Sequence, residues 1–269
     1  MKKTILLAIL IFAFGNTYSQ KIKDNYWNNK KCSIVLTYDD ATNGHLDYAL
    51  PVLDSLNIKV TFYIPGHSHC LYERMDEWKA VAKEGHELGN HTIHHPCHGK
   101  SMDRKWVSPD HDLDDYTVQQ FLDEIRIQNT LLRAVDGKTE RTFAYTCGDL
   151  NVAGKDIAPY MKDYFLAARD VQPGLNYQGT VDLYRLKIFS VRGQSIELLK
   201  AEVDKAIKEK ALLIFLFHGV GEGIPFSATY EKHKEFVEYL KKNEKDIWVA
   251  PMVEVAKFVK EKQGNKHSF

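Results

Sequence analysis

"SIVLTYDD" (Ser33–Asp40) sets six mostly aliphatic, β-branched or aromatic positions directly before two carboxylates. A short run of this make-up that stops at polar residues reads as a β-strand with two acids at its mouth. The pattern around it repeats. Leu46–Leu56 reads as a helix, "KVTFYI" (Lys59–Ile64) as a second strand, Met75–Lys83 as a helix, and "HELGNH" (His86–His91) as a short strand. "CHGKSMDRKWVSPDHDLDDY" (Cys97–Tyr116) is polar and aperiodic, a long loop. Thr117 and Gln120 then form a capping box for a helix over Val118–Val135. Further strands are expected at "RTFAY" (Arg141–Tyr145), Tyr164–Ala168, Tyr184–Val191, "LLIFLF" (Leu212–Phe217) and Ile247–Ala250. Strands alternating with amphipathic stretches define βα units and a largely parallel sheet. With no linker, fixed-period repeat or low-complexity segment, the expectation is one barrel-like α/β domain.

The first twenty residues, "MKKTILLAILIFAFGNTYSQ", join a basic start, an apolar run from Ile5 to Phe14 and a small-residue exit near Ser19. Residues 1–19 are therefore expected to be a signal peptide, removed from a secreted or periplasmic protein. The run is shorter than the ~20 residues a spanning helix needs. Cys32, the first cysteine, follows "NNKK" rather than small aliphatic residues, so no lipid anchor to a membrane is expected. Thirty-six basic residues balance thirty-six acidic ones. That balance argues against nucleic acid, an anionic membrane or a polyanionic substrate, and it suits a neutral one. The four cysteines form no CxxC pair, which argues against a structural zinc site.

In parallel α/β folds the strand C-termini and the loops after them carry the chemistry. Asp39 and Asp40 repel each other, and both stay ionised only beside a cation; a pair of solvated loop acids is the plainer alternative. In "HTIHHP" (His91–Pro96), His91 and His95 are four apart and would share a face of a helical turn, as two imidazole ligands of one metal do. His94 is the competitor. Position 92 is threonine, so the internal glutamate base of an HExxH peptidase is absent and a base must come from elsewhere. His86 and Glu87 are expected to be structural, and His98 and His111 solvated. On a strand of period two, Ile214, Leu216 and His218 share a face, which sets an imidazole at the open end, suited to proton transfer. A core histidine bonded to a backbone carbonyl would look the same.

Taken in order, "TYDD", "HTIHHP" and "IFLFH" resemble the first, second and fifth motifs of the polysaccharide deacetylase family, the NodB-homology domain of carbohydrate esterase family 4. The resemblance covers Ser33–Lys260. It implies a domain over residues 30–262 folded as a distorted (β/α) barrel of about seven parallel strands. It also implies that Asp40, His91 and His95 hold a divalent metal, zinc with cobalt or nickel as replacements, and that Asp39 is the general base and His218 the general acid. Leu216 would line a pocket for the acetyl methyl group. The third motif departs from the family: in "FAYTCG" (Phe143–Gly148), Ala144 stands where an arginine usually steadies the base, and Cys147 where an aromatic lines the groove. The backbone N–H of Cys147 remains available to an oxyanion. Arg169 of "LAARD" either replaces the missing cation or makes a surface salt bridge with Asp170. The fourth motif, an aspartate orienting the acid histidine, is not recognisable; Asp170 and Asp182 are the candidates. Cys97 and Cys147 should face one mouth, as a disulfide or as two buried thiols, with the thiols expected. Trp106 is a weaker candidate for stacking on a sugar ring.

The function implied is an exported metal-dependent hydrolase that takes acetyl groups from a glycan, by N-deacetylation of amino sugars of the chitin or peptidoglycan type. An O-acetyl esterase of the xylan type is the first alternative. A non-catalytic carbohydrate-binding protein on the same scaffold is the second. The acetylated glycan is the expected partner, and oligomeric state has no sequence signal.

Overall fold

In a computed structural model of the chain, which describes residues 26–224 and 226–264, seven strands close into a ring. The expected signal peptide lies outside the described residues. The strands are β1 (Cys32–Asp39), β2 (Thr61–Ile64), β3 (Glu87–Asn90), β4 (Phe143–Ala144), β5 (Ala168–Pro173), β6 (Leu186–Ser190) and β7 (Ala211–Phe217). Each runs parallel to its neighbours, and β7 pairs back onto β1 from Ser33↔Leu212 to Tyr38↔Phe217. A last strand, β8 (Ile247–Val249), pairs with the start of β1, while β2 pairs with its end at Thr37–Asp39. β1 and β7 are buried along their whole length, which is why they read as near-continuous apolar runs rather than as alternating ones.

Helices α1 (Leu50–Ser55), α2 (Met75–Lys83), α3 (Val118–Asp136), α4 (Ile196–Glu209), α5 (Tyr230–Lys242) and α6 (Met252–Gly264) connect or follow the strands. α4 buries Leu199, Val203 and Ala206, one stripe of a 3.6-residue period. α3 starts at the expected capping box: Thr117 Oγ1 accepts from Gln120 N at 3.2 Å, and Gln120 Oε1 accepts from Thr117 N at 2.8 Å. It stops at Gly137, whose φ of 72° turns the chain out of the helix. Beneath α5, Tyr38 stacks on Phe217 with ring centroids 5.1 Å apart, and Phe236 packs edge-on against Phe215 at 4.8 Å. Truncating Phe217 to alanine there would cost about 3–5 kcal/mol.

Two expectations change. The strand expected at Tyr164–Ala168 begins only at Ala168 and runs to Pro173. Its partner β4 is two residues long, so parallel pairing starts at Phe143↔Ala168, and the preceding apolar residues pack instead, Phe165 stacking on Phe143 at 4.9 Å. Apolar character marked burial, not pairing. The segment His91–Pro96 is not a helical turn either: Thr92 and His95 both have left-handed backbones, at φ 62° and 53°. Among the described residues, no helix is long and apolar enough to cross a membrane.

Candidate functional site

The C-terminal ends of β1, β5 and β7 and the loops after β3, β4 and β6 open into one cavity of about 930 Å³. Asp39 is the last residue of β1 and is buried; Asp40 follows at φ 76°, outside the range a strand allows, so the two carboxylates leave the strand in different directions. Asp40 N donates to Tyr63 O at 3.1 Å and holds that bend against the end of β2.

The histidine loop reaches the same point without a helix. Thr92 N donates to Asn90 Oδ1 at 2.8 Å, His95 N to Thr92 Oγ1 at 3.0 Å, and His94 N to Glu124 Oε2 at 3.0 Å. Side chains thus satisfy the backbone donors that a helical turn would have paired internally. His91 and His95 converge, with ring centroids 4.7 Å apart. Their Nε2 atoms lie 3.6 and 3.5 Å from Asp40 Oδ1. His94 turns away: its Nδ1 meets Glu124 Oε1 at 3.0 Å, and its ring stacks on that of His111 at 4.0 Å.

Whether Asp40, His91 and His95 suit a divalent cation can be judged from their surroundings. The ligand atoms they offer all lie within 4.8 Å of one another. His91 Nδ1 lies 2.8 Å from Ala144 O, a contact that needs the proton on Nδ1 and leaves the Nε2 lone pair towards Asp40. Burial depresses both imidazoles, His91 to about 3, so both are neutral, the form that binds metal. Asp40 is pushed up to about 6 by burial and then by the charge of Asp39. The arrangement lacks one positive charge, and two imidazoles with a carboxylate are a donor set that zinc accepts.

Asp39 already has its cation. Arg169, buried on β5, donates from Nη2 to Asp39 Oδ1 and lies 4.8 Å from the centroid of Tyr63. Burial raises the Asp39 carboxyl, but the Arg169 guanidinium, through its charge and its hydrogen bond, outweighs it and leaves the group below its ordinary value. The surface salt bridge with Asp170 is thereby replaced: Arg169 points into the barrel, and Asp170 Oδ1 accepts from Val171 N at 2.5 Å. Tyr63 in turn shares a 2.8 Å bond with Thr142, which donates to Glu87, so Glu87 and His86 are structural partners within the core.

His218 follows β7, one residue past its end, and lines the cavity with Leu216, Cys147 and the exposed Trp106. Among the described residues its buried Nδ1 has no hydrogen-bond partner; Asp170 accepts from Val171 N and Asp182 from Tyr184 N instead. His218 O instead receives the Nε2 of His45, a buried histidine that sequence reading passed over. The expected thiols are a disulfide. Cys97 and Cys147 are bonded with Cα atoms 5.8 Å apart, tying the histidine loop to the loop after β4, because both loops fold over the same mouth. That second loop passes so close to β5 that a Cβ on Gly148, itself at φ 72°, would sit 2.1 Å from Val171. His98, expected in solvent, is held by Asp114 at 2.7 Å and by Asn151 O at 2.8 Å. Phe226, in the "GVGEGIPFSATY" segment that follows His218, walls the cavity, as sequence reading expects of that segment, whereas Arg192 beside it was missed because nothing in spacing singles out one arginine.

A closed parallel barrel with Asp40, His91 and His95 as a candidate metal-binding group at its C-terminal mouth places the chain among barrels whose functional residues sit at the strand ends. Residues 27–162 match the family described as polysaccharide deacetylase, and the chain belongs to that family. It is 29% identical over 117 residues to the peptidoglycan-N-acetylmuramic acid deacetylase PdaA of Bacillus subtilis, covering 43% of this chain and 38% of that protein. It is 26% identical over 188 residues to a chitin deacetylase of Pestalotiopsis sp, covering 67% and 60% respectively. The chain thus spans less than two thirds of the length of these curated relatives. Its fold matches that of a Mycobacterium smegmatis chain provisionally described as a polysaccharide deacetylase, with a TM-score of 0.64 at 16% identity, covering 87% of this chain and 92% of that one.

Proposed function

We propose that the protein is an exported, metal-dependent glycan deacetylase that releases acetate from N-acetylated amino sugars of the chitin or peptidoglycan type. The observation that carries this reading is the convergence of Asp40, His91 and His95 on one point, with Asp39 and His218 lining the same cavity. The relatives named for deacetylating muramic acid and chitin support an N-acetyl substrate. The basic and apolar start of the chain supports removal of residues 1–19 and a working domain over residues 30–262.

Asp40, His91 and His95 would hold the metal, zinc by donor set, with cobalt or nickel as replacements. A divalent cation there supplies Lewis-acid activation of water and of the acetyl carbonyl. Asp39 takes the proton from the attacking water, and Arg169 keeps that carboxylate ionised and aimed. The backbone N–H of Cys147 donates to the oxygen on which charge develops. Leu216 bounds the space for the acetyl methyl group, and Trp106 offers a face for a sugar ring. His218 gives its proton to the departing nitrogen.

The missing partner of His218 Nδ1 favours a second reading. An acid histidine without a carboxylate behind it is a poorer proton donor to an amine, and an ester leaving group depends on it less. An O-acetyl esterase of the xylan type fits that feature. Acetate release by the mature protein, stripped of metal and reloaded with zinc, from chitin oligomers, peptidoglycan and acetylxylan decides among these readings. Release from the first two is expected. Release from acetylxylan alone selects the esterase, and no release with zinc bound selects a carbohydrate-binding protein.

A further inference from the structure

Arg192 stands in the wall of the same cavity and takes no part in the chemistry above. It follows β6 in a loop that is held in place from several sides. Val191 N donates to Leu216 O at 2.8 Å, Gln194 Nε2 to Ser190 O at 3.1 Å, and Lys232 Nζ to Gly193 O at 3.2 Å. The side chain is placed as well: Arg192 Nε donates to Ser190 Oγ at 3.1 Å, and the guanidinium lies 5.0 Å from the ring centroid of Phe226. Phe226 is 54% exposed and has a left-handed backbone at φ 63°, a conformation a bulky residue adopts only when its surroundings impose it.

What the guanidinium lacks is a carboxylate. Among the described residues no Asp or Glu pairs with Arg192, whereas the other two arginines of the cavity region are both claimed, Arg104 by Asp149 at 2.6 Å and Arg169 by Asp39. The acids of the cavity wall, Asp39 and Asp40, are engaged at the reacting end. A planar cation with one face on an aromatic ring keeps its N–H edge for a two-pronged bond to an oxyanion. Beside a site for acetamido sugars, the matching substrate group is a carboxylate carried by the glycan.

Building on the deacetylase reading, and replacing the neutral substrate that the overall charge balance suits by one that this local cation matches, we propose that the substrate is an acidic N-acetylated glycan, with a carboxylate on the acetamido sugar or on its neighbour, and that Arg192 seated on Phe226 binds that carboxylate. Two sources share this chemistry, the lactyl ether of a muramic-type sugar and an adjoining uronic acid. The test compares kcat/KM of the zinc-loaded protein on an N-acetylglucosamine–N-acetylmuramic acid tetrasaccharide and on an N-acetylglucosamine–glucuronate oligomer, each as the free acid and as its methyl ester. Wild type is expected to prefer the free acid of one of the two by about tenfold or more, and that pair identifies the source. Arg192→Met should bring the acid-to-ester ratio close to one, and Arg192→Lys should leave it in between. No acid preference on either glycan, or a preference that survives in Arg192→Met, overturns the proposal. The same four ligands titrated calorimetrically give the ratio from binding alone. If no acetate is released from any glycan, the deacetylase reading falls, while the binding ratio still decides the role of Arg192.

Discussion

The guanidinium of Arg169 and the carboxylate of Asp39 meet inside the barrel mouth from positions 130 residues apart in the chain, one on β5 and the other at the end of β1. The cation beside Asp39, the proposed base, is therefore supplied by β5, the strand after the one that carries the third motif. Arg169→Gln should lower kcat about a hundredfold with a smaller effect on KM. Arg169 holds the Asp39 carboxyl down, so its loss raises that pKa and moves the acid limb of the kcat profile to higher pH. Arg169→Lys should restore part of both. An unmoved acid limb would separate Asp39 from the chemistry.

His94 and His95 are adjacent in sequence and face different partners, Glu124 and Asp40. His95→Ala should therefore lose tight zinc binding, whereas His94→Ala should retain one equivalent after dialysis, as measured by elemental analysis. Equal losses in both variants would mean that His94 does not turn away from the metal and that the register assigned to this loop is wrong.

An ester leaves more readily than an amine, so His218→Ala should cost much less on an O-acetyl substrate than on an N-acetyl one. Parallel acetate assays on acetylxylan and chitin oligomers measure the difference. Equal and near-complete losses on both would count against this contrast between ester and amide.

His45 and His233 are buried and neutral: burial lowers them to about 4 and about 3. Unfolded, each titrates near its ordinary value of about 6.5. As pH falls below that value the unfolded chain takes up protons that the fold refuses, so stability is complete above about 6.5 and is lost on the way down to the folded values, by about 1.4 kcal/mol per pH unit for each residue. Urea unfolding of the metal-free protein between pH 7 and 5 should show the midpoint falling. A flat midpoint would mean that these rings leave their buried positions.

The Cys97–Cys147 disulfide closes a loop across 50 residues, and chain entropy sets its contribution at about 4 kcal/mol. Cys97→Ser with Cys147→Ser should lower the urea midpoint accordingly and raise KM, since the histidine loop and the loop after β4 would no longer be joined. A stability loss with unchanged KM would confine the bond to a scaffold role.

Most strands and the Asp–His–His set were legible because each has a local signature. β1 and β7 are continuous apolar runs, and "TYDD" and "HTIHHP" sit at strand ends. The helical turn was misread because spacing alone cannot tell i, i+4 convergence on a helix from convergence enforced by the side chains of Asn90, Thr92 and Glu124 accepting from backbone N–H groups. The disulfide was misjudged because pairing depends on how two loops 50 residues apart cross one mouth. Arg169 was legible only as one of two alternatives; its burial against Asp39 and Tyr63 follows from closure of the ring, which no local window contains.

Closure of β1 by β7 on one flank and by β8 at its start has a consequence for the life of the chain. The strand that presents Asp39 emerges early in synthesis, as does its neighbour β2, but its other hydrogen-bonding neighbours are Ala211–Phe217 and Ile247–Val249. Thr37 Oγ1 donates to Phe215 O at 2.8 Å, a bond between residues 178 positions apart. A form that ends before Ala211 lacks the strand that closes the ring on β1, so the mouth that holds Asp39 and Leu216 takes shape only once Phe217 has been synthesised.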